Sequence, residues 1–110
     1  MTRDMTSKNM GVADIQLTDN RTEHRFEASV EGSLAGFADY QETNGRLVFT
    51  HTEVDPASSG QGVGGALARY GLDEARRQHL RVVPICSFIA RWIERHPDYA
   101  DLVDRNAPHA

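Results

Sequence analysis

The chain has 110 residues, 39% of them hydrophobic and 25% charged, and its 16 acidic against 12 basic residues give a net charge of −4. This length and mixture predict one globular domain, and the acidic balance argues against binding to nucleic acid. Cys86 is the only cysteine, which excludes an internal disulfide and favours a reducing compartment, so we expect the cytoplasm. No run approaches the roughly 18 apolar residues of a membrane span, so we expect no membrane association.

The two ends of the chain differ from its middle in composition. Residues 1–10 are polar and lack periodicity, which predicts a disordered tail. Regular apolar patterns follow, and we expect the folded domain over residues 11–104 and a flexible C-terminus over residues 105–110.

Four short segments in the first half of the chain predict an antiparallel meander. Phe26, Ala28 and Val30 alternate with polar residues, as in a strand with one buried face. Asn44-Gly45 is the favoured pair for a tight hairpin turn. The predicted strands are residues 13–17, 25–30, 34–42 and 46–54.

The second half predicts helix, strand and helix. Apolar residues at helical spacing indicate a main helix over residues 62–79, and a second helix covers residues 87–95. Between them, residues 81–86 are apolar, although Pro84 allows a strand only at a weakly paired position. Residues 99–103 are expected to form one further turn. The order predicts an α+β domain whose mixed, mainly antiparallel sheet combines a meander with a parallel β-α-β unit.

A glycine-rich loop joins the last meander strand to the main helix. Residues 59–66 read Ser-Gly-Gln-Gly-Val-Gly-Gly-Ala. Glycine costs up to about 1 kcal/mol in a helix, so this density indicates a backbone that closely approaches a ligand. The unpaired amides of a first helical turn and the helix dipole favour phosphate. The alternative is a tight loop whose glycines only allow the helix to pack on the sheet.

Three phosphate-loop patterns were compared with this loop. Gly60, Gly62 and Gly65 match GxGxxG, but the acid that a dinucleotide site needs about 20 residues later is missing. A nucleoside-triphosphate loop needs a lysine after its last glycine, where Ala66 stands. The third pattern, Gln/Arg-x-x-Gly-x-Gly/Ala, is met at every fixed position by residues 61–66. This loop resembles the coenzyme A loop of the GNAT superfamily of N-acetyltransferases.

The resemblance extends over residues 13–103 and is most similar to a compact GNAT subfamily. Its motifs are His-Thr-Glu-Val at residues 51–54, Val-Val-Pro-x-Cys at 82–86 and Arg-His-Pro-x-Tyr at 95–99. It implies the minimal GNAT fold and an enzyme that transfers acetyl from acetyl-CoA to an amine. The helices that wall the acceptor site in larger members are missing, which implies an open acceptor site.

The same resemblance implies which residues bind acetyl-CoA. Loop amides would hold its pyrophosphate, the strand before the loop would bond its pantetheine arm, and the last helix would supply further contacts. The expected binding residues are Val54, Gly60, Gln61, Gly62, Val63, Gly64, Gly65, Ala66, Ser87 and Arg91. For Arg91 the alternative is solvated surface charge.

Three residues are candidates for catalysis. His51 and Glu53 are two apart, so they point to one face of their strand, and either could deprotonate the acceptor or make only a structural hydrogen bond. Glu53 could also bind the acceptor amine. Cys86 could accept the acyl group, protonate the leaving thiolate or merely pack. Many family members place a tyrosine early in the last helix, where this chain has residues 87–89, Ser-Phe-Ile. Tyr99 is a distant substitute for which packing is the preferred interpretation.

The acceptor and the assembly state stay open at this stage. A protein lysine or N-terminus and a small polyamine are both compatible with an open site. The alternative function is a catalytically weak module that binds acyl-CoA or a partner protein. Histidines, acids and the cysteine lack zinc-ligand spacing, so we expect no metal. A monomer is expected, with a dimer through the strand at residues 46–54 as the alternative.

Overall fold

A computed structural model describes residues 14–105 as a five-stranded mixed sheet with two α-helices. The strands lie side by side in chain order, antiparallel except for the parallel last pair. They are β1 (Ile15–Asn20), β2 (Arg25–Val30), β3 (Ser33–Thr43), β4 (Arg46–Val54) and β5 (Arg81–Pro84). The helices are α1 (Val63–Arg77) and α2 (Ser87–Arg95), and 3₁₀ turns cover Pro56–Ser58 and Pro97–Leu102. The expected α+β class, meander and β-α-β unit are confirmed.

The first strand differs from its predicted bounds of residues 13–17. It runs to Asn20 because the polar residues at its end find partners across the sheet. The Tyr40 hydroxyl donates to Asp19 at 2.6 Å, and the Asn20 side chain donates to Glu27 at 2.9 Å. The predicted tail, residues 1–10, lies outside the described residues, as does the predicted flexible C-terminus beyond Arg105.

The other boundaries are set by local backbone geometry. The hairpin of β3 and β4 turns at Asn44 and Gly45, whose φ values of 52° and 75° suit a type I′ turn. Helix α1 ends at Arg77, slightly before the expected residue 79, because His79 has a φ of 59° and leaves the helical conformation. Strand β5 ends at Pro84, two residues earlier than expected, because proline has no amide to continue a ladder.

The core lies between one face of the sheet and α1. Phe26 and Phe49 from the sheet meet Leu67 and Leu72 from the helix, and all four are essentially fully buried. Gly71 allows this close packing, since a Cβ there would lie 2.9 Å from the Phe49 ring. Helix α2 and the second 3₁₀ turn pack against α1.

The opposite face of the sheet, called the outer face below, carries the residues that alternate with the core. Arg25, Glu27, Phe37 and Asp39 lie there and are partly exposed. The Arg25 guanidinium bonds the Glu27 carboxylate at 2.8 Å and lies 4.5 Å from the centre of the Phe37 ring. Within residues 14–105, the helices that contact the sheet belong to the core side, so this face stays accessible.

Candidate functional site

Strands β4 and β5 separate halfway along β4. Their pairing covers Arg46 to Phe49 on β4 and ends at Pro84 on β5. One further link follows, from the Cys86 amide to the Phe49 carbonyl at 2.9 Å, and the chain then turns into α2. The rest of β4 is paired with β3 alone. A gap therefore opens between β4 and the start of α2.

A β-bulge lies at the start of this gap. Asp39 of β3 pairs with His51, and the next residue, Tyr40, pairs with Phe49, so Thr50 is the additional residue. Because a bulge rotates the residues that follow it, Thr50 and His51 both lie exposed while Thr52 turns toward the core side.

The backbone of β4 beyond the bulge offers hydrogen-bonding groups to the gap. The Asp55 amide donates to the Ala35 carbonyl at 2.7 Å and so points toward β3. Because neighbouring residues of an antiparallel strand point their amides to alternate sides, the amides of Val54 and Thr52 point away from β3. Because β5 does not pair with this part of β4, the amides of Thr52 and Val54 could donate to an extended ligand in the gap.

The glycine loop places donors near the same end of the sheet. Gly60 and Gly62 both have a φ of 82°, a conformation that other residues rarely adopt, and Gly62 is the N-cap of α1. Among the backbone hydrogen bonds of residues 14–105, none is donated by the amides of residues 62–65. The Ala66 amide, by contrast, donates to the Gly62 carbonyl at 3.0 Å. Four amides at the positive end of a 15-residue helix are thus available to an anion.

Packing explains one glycine of the loop in a different way. A Cβ at Gly64 would lie 2.8 Å from Cζ of Phe88, whereas one at Gly65 would meet only an ordinary contact with Trp92 at 3.5 Å. Phe88, in the first turn of α2, therefore lies directly on the first turn of α1. Packing therefore accounts for Gly64, and close approach to a ligand stays a prediction for the other glycines of the loop.

His51 and Glu53 lie together on the outer face, as their spacing predicted. His51 Nε2 is 2.9 Å from Glu53 Oε2, and both side chains are more than half exposed. The Phe37 ring centre is 6.3 Å from that of His51. An imidazole held by a carboxylate at an open surface can accept a proton from an incoming amine.

Cys86 lies on the other side of β4 from this pair. It is 8% exposed and forms the N-cap of α2, and so it does not end β5 as expected. Its thiol donates to the Thr52 hydroxyl at 3.4 Å. Sequence reasoning missed Thr52, since only the bulge at Thr50 turns this side chain toward the cysteine.

The expected coenzyme contacts on α2 are both exposed. Ser87 is the first residue of the helix, and Arg91 lies one turn later. Val54 ends β4, Gln61 and Val63 lie within the loop, and the Val63 side chain is buried in the core.

A groove between α1 and α2 leads away from the loop and was missed at the sequence level. It encloses about 490 Å³. Its lining includes Gly62, Ala66 and Arg69 from the N-cap and body of α1, with Trp92 of α2 and His96, the C-cap of α2. The rings of Trp92 and His96 stack with centres 3.7 Å apart, and the Arg69 guanidinium lies 5.2 Å from the Trp92 ring. The sequence could have indicated this groove, because Gly62, Ala66 and Arg69 have the spacing of residues on one helical face.

Tyr99 has a structural role, in agreement with the preferred interpretation. Its hydroxyl donates to the Asp73 carboxylate at 2.7 Å and accepts from Arg69 at 3.3 Å. Burial, followed by the Asp73 hydrogen bond, raises the pKa of Tyr99. Both hydrogen bonds of the hydroxyl are therefore made to residues of α1.

Within residues 14–105, neither a cluster of metal ligands nor a membrane-spanning helix is present. No three side chains among its histidine, cysteine, aspartate and glutamate residues converge as metal ligands would. None of its helices combines the length and apolar character needed to cross a bilayer.

The fold and site together define an acyltransferase-like β-α-β unit, in which two parallel strands separate beside a glycine loop. The GCN5-related N-acetyl-transferase family matches residues 25–102, so the chain belongs to that family. An NMR solution structure of a GCN5-like candidate N-acetyltransferase from Staphylococcus aureus has the same fold, with a TM-score of 0.61 at 24% identity. The match covers 92% of this chain and 100% of that one. A comparison with curated proteins finds no match.

Proposed function

We propose that this protein binds acetyl-CoA and transfers its acetyl group to an amine, in the cytoplasm. The observation that carries this proposal is the set of four unpaired amides at residues 62–65, which lies near the gap between β4 and α2. An anion held by these amides and an extended chain in the gap are the two requirements of a phosphorylated thioester carrier.

Binding would use the backbone more than side chains. The amides of residues 62–65 would hold the pyrophosphate, with Gly60 and Gln61 shaping the loop and Ala66 closing the first turn. The amide of Val54 would bond the pantetheine arm as an added strand. Ser87 and Arg91 remain proposed contacts on α2. The groove beside Arg69 and His96 supplies cationic and aromatic groups for the nucleotide end of the molecule.

Transfer requires one bond to form and one to break. The acetyl group is delivered as a thioester, whose carbonyl carbon bonds the amine nitrogen while its C–S bond breaks. The acceptor loses one proton, which the His51–Glu53 pair would take, and the departing thiolate gains one. Positioned proton transfer of this kind contributes roughly 10²–10⁴ in rate.

Cys86 is the proposed proton donor to the thiolate. Its thiol borders the gap, is largely buried and already donates to Thr52. Phe88 has no hydroxyl, and the Tyr99 hydroxyl is engaged with Asp73. An acetyl-cysteine intermediate at Cys86 is the competing role, and mass spectrometry after acid quench during turnover separates the two.

The test is calorimetric titration with acetyl-CoA beside desulfo-CoA, NADH and ATP. We expect selective binding of the coenzyme A compounds. Gly65→Glu should abolish this binding, because Gly65 lines the groove and the added carboxylate would repel the coenzyme phosphates. The variant should still fold, since a Cβ at Gly65 makes only an ordinary contact. Gln41→Glu, with the same charge change at an exposed position of β3, is the control. Failure of the folded wild type to bind acetyl-CoA overturns the proposal.

A catalytically weak acyl-CoA-binding module is the second candidate. Phe88 at the start of α2, without a hydroxyl, is the observation that favours it. Steady release of free thiol from acetyl-CoA in the presence of an amine distinguishes the enzyme from the module.

A further inference from the structure

A small cavity lies on the outer face of the sheet, where β3 begins and β4 ends. It encloses about 250 Å³. Its apolar lining includes Leu34, Phe37 and Pro56, and two carboxylates, Glu53 and Asp55, belong to the same lining. A concave apolar surface with a few charged groups is the usual form of a small-molecule site.

Leu34 is a large apolar residue that does not belong to the core. It is 44% exposed, whereas Phe37 of the same strand is only partly exposed and Tyr40 is buried. The partner of Leu34 in β2 is Ser29, the neighbour of the fully buried Ala28, so Leu34 lies on the outer face. An exposed leucine at the edge of a cavity is available to an apolar ligand group.

The charge of the cavity favours a cation. Glu53 and Asp55 contribute two negative charges, and Asp55 is further held by the Ala57 amide at 3.0 Å. The nearby Arg25 lies over Phe37, but its charge is balanced by Glu27. An ammonium group would thus find two carboxylates beside an apolar surface, of which Glu53 also contacts His51 and Asp55 also accepts from the Ala57 amide.

The cavity and the proposed reaction site share one segment of β4, residues 51–53. Glu53 lines the cavity and bonds His51, while Thr52, the preceding residue, contacts Cys86 on the other side of β4. We propose that the acceptor is a small primary amine with one apolar substituent, which enters this cavity while its nitrogen lies beside Glu53. This inference rests on the proposed function. The bound ammonium first gives one proton to the His51–Glu53 pair. The resulting amine nitrogen then bonds the acetyl carbon as the C–S bond breaks, and the second proton that the nitrogen loses balances the one that the departing thiolate gains.

The test compares kcat/KM for phenethylamine, ethanolamine and spermidine with acetyl-CoA as donor. We expect phenethylamine to exceed both by about tenfold or more, the usual discrimination by an apolar pocket. Leu34→Ser should remove most of this preference, and the matched variant Leu34→Met should keep it. Equal rates for the three amines, a preference for spermidine, or indifference to Leu34→Ser overturns the inference.

A second measurement separates this inference from the proposed function. Phenethylamine is titrated into the isotope-labelled protein without donor, and amide shifts are followed by NMR. Shifts centred on Leu34, Phe37 and Glu53 without acetyl-CoA binding support the cavity and overturn the proposed function. Acetyl-CoA binding without those shifts overturns the cavity alone, and loss of both overturns both.

Discussion

At the scale of single residues, Cys86 and Thr52 form the contact that most closely concerns the chemistry. The thiol belongs to the N-cap residue of α2 and the hydroxyl belongs to β4. The contact therefore joins the two sides of the gap. The neighbouring His51–Glu53 contact lies on the opposite face of the same strand. Donor and acceptor groups for protons are thus divided between the two faces of β4.

Replacing Cys86 by serine tests its proposed role. We expect Cys86→Ser to lower kcat by about 10² or more, because an alcohol is a far weaker acid than a thiol. Acetyl-CoA affinity should stay within about twofold, since the change keeps the shape of the side chain. Steady-state kinetics and calorimetry measure the two effects, and full activity of the variant would reduce Cys86 to packing.

Arg69 and Arg91 are alternative cationic contacts for the coenzyme phosphates. Because Arg69 lines the groove and Arg91 is an exposed residue of α2, we expect Arg69→Gln to weaken coenzyme A binding about tenfold. Arg91→Gln removes the same charge and should have the smaller effect. Calorimetry at constant temperature measures both, and a larger loss for Arg91→Gln would contradict the groove assignment.

At the scale of elements, the distance between α1 and the sheet is limited by one glycine. Gly71→Ala would put a Cβ 2.9 Å from Phe49 and 3.1 Å from Phe26, and both rings are buried. We expect a loss of about 1–3 kcal/mol in the free energy of unfolding despite alanine's better helix propensity. Gly65→Ala, without such a clash, should be neutral or slightly stabilising. Urea denaturation measures both, and equal stability of the two variants would contradict this packing.

Sequence patterns predicted most elements because their causes are local. The Asn44-Gly45 turn, the alternation around Phe26 and the helical spacing of α1 each depend on a few neighbouring residues. The polar end of β1 was missed because Asp19 and Asn20 depend on partners in other strands.

At the scale of the whole molecule, three carboxylates among residues 14–105 contribute to acid stability because their partners lower their pKa values. Glu27 is bonded by Arg25 and Asn20, Glu74 by Arg77 and Gln78, and Asp101 by Arg76, and in each case the pairing lowers the pKa of the carboxyl group. A lowered pKa in the folded state stabilises the fold above the unfolded value, about 4.3 for glutamate, and this stabilisation is lost as pH falls through the folded value.

Glu27→Gln tests this dependence. The variant should be less stable than wild type at pH 7, and the difference should shrink below about pH 4, where Glu27 becomes protonated. Urea midpoints measured from pH 7 to pH 3 follow the effect. Glu94→Gln, at an exposed position of α2, is the control, and a Glu27→Gln curve parallel to wild type would contradict the pairing.

The sequence alone determined the order of elements, the glycine loop before α1 and the similarity to the N-acetyltransferase family, because each is a pattern of consecutive residues. Only the tertiary structure decided the bulge at Thr50, the contact of Thr52 with Cys86, and the groove beside Arg69. These features depend on the register between strands and on the packing of helices. Both are set by contacts between residues distant in sequence, which no local pattern records.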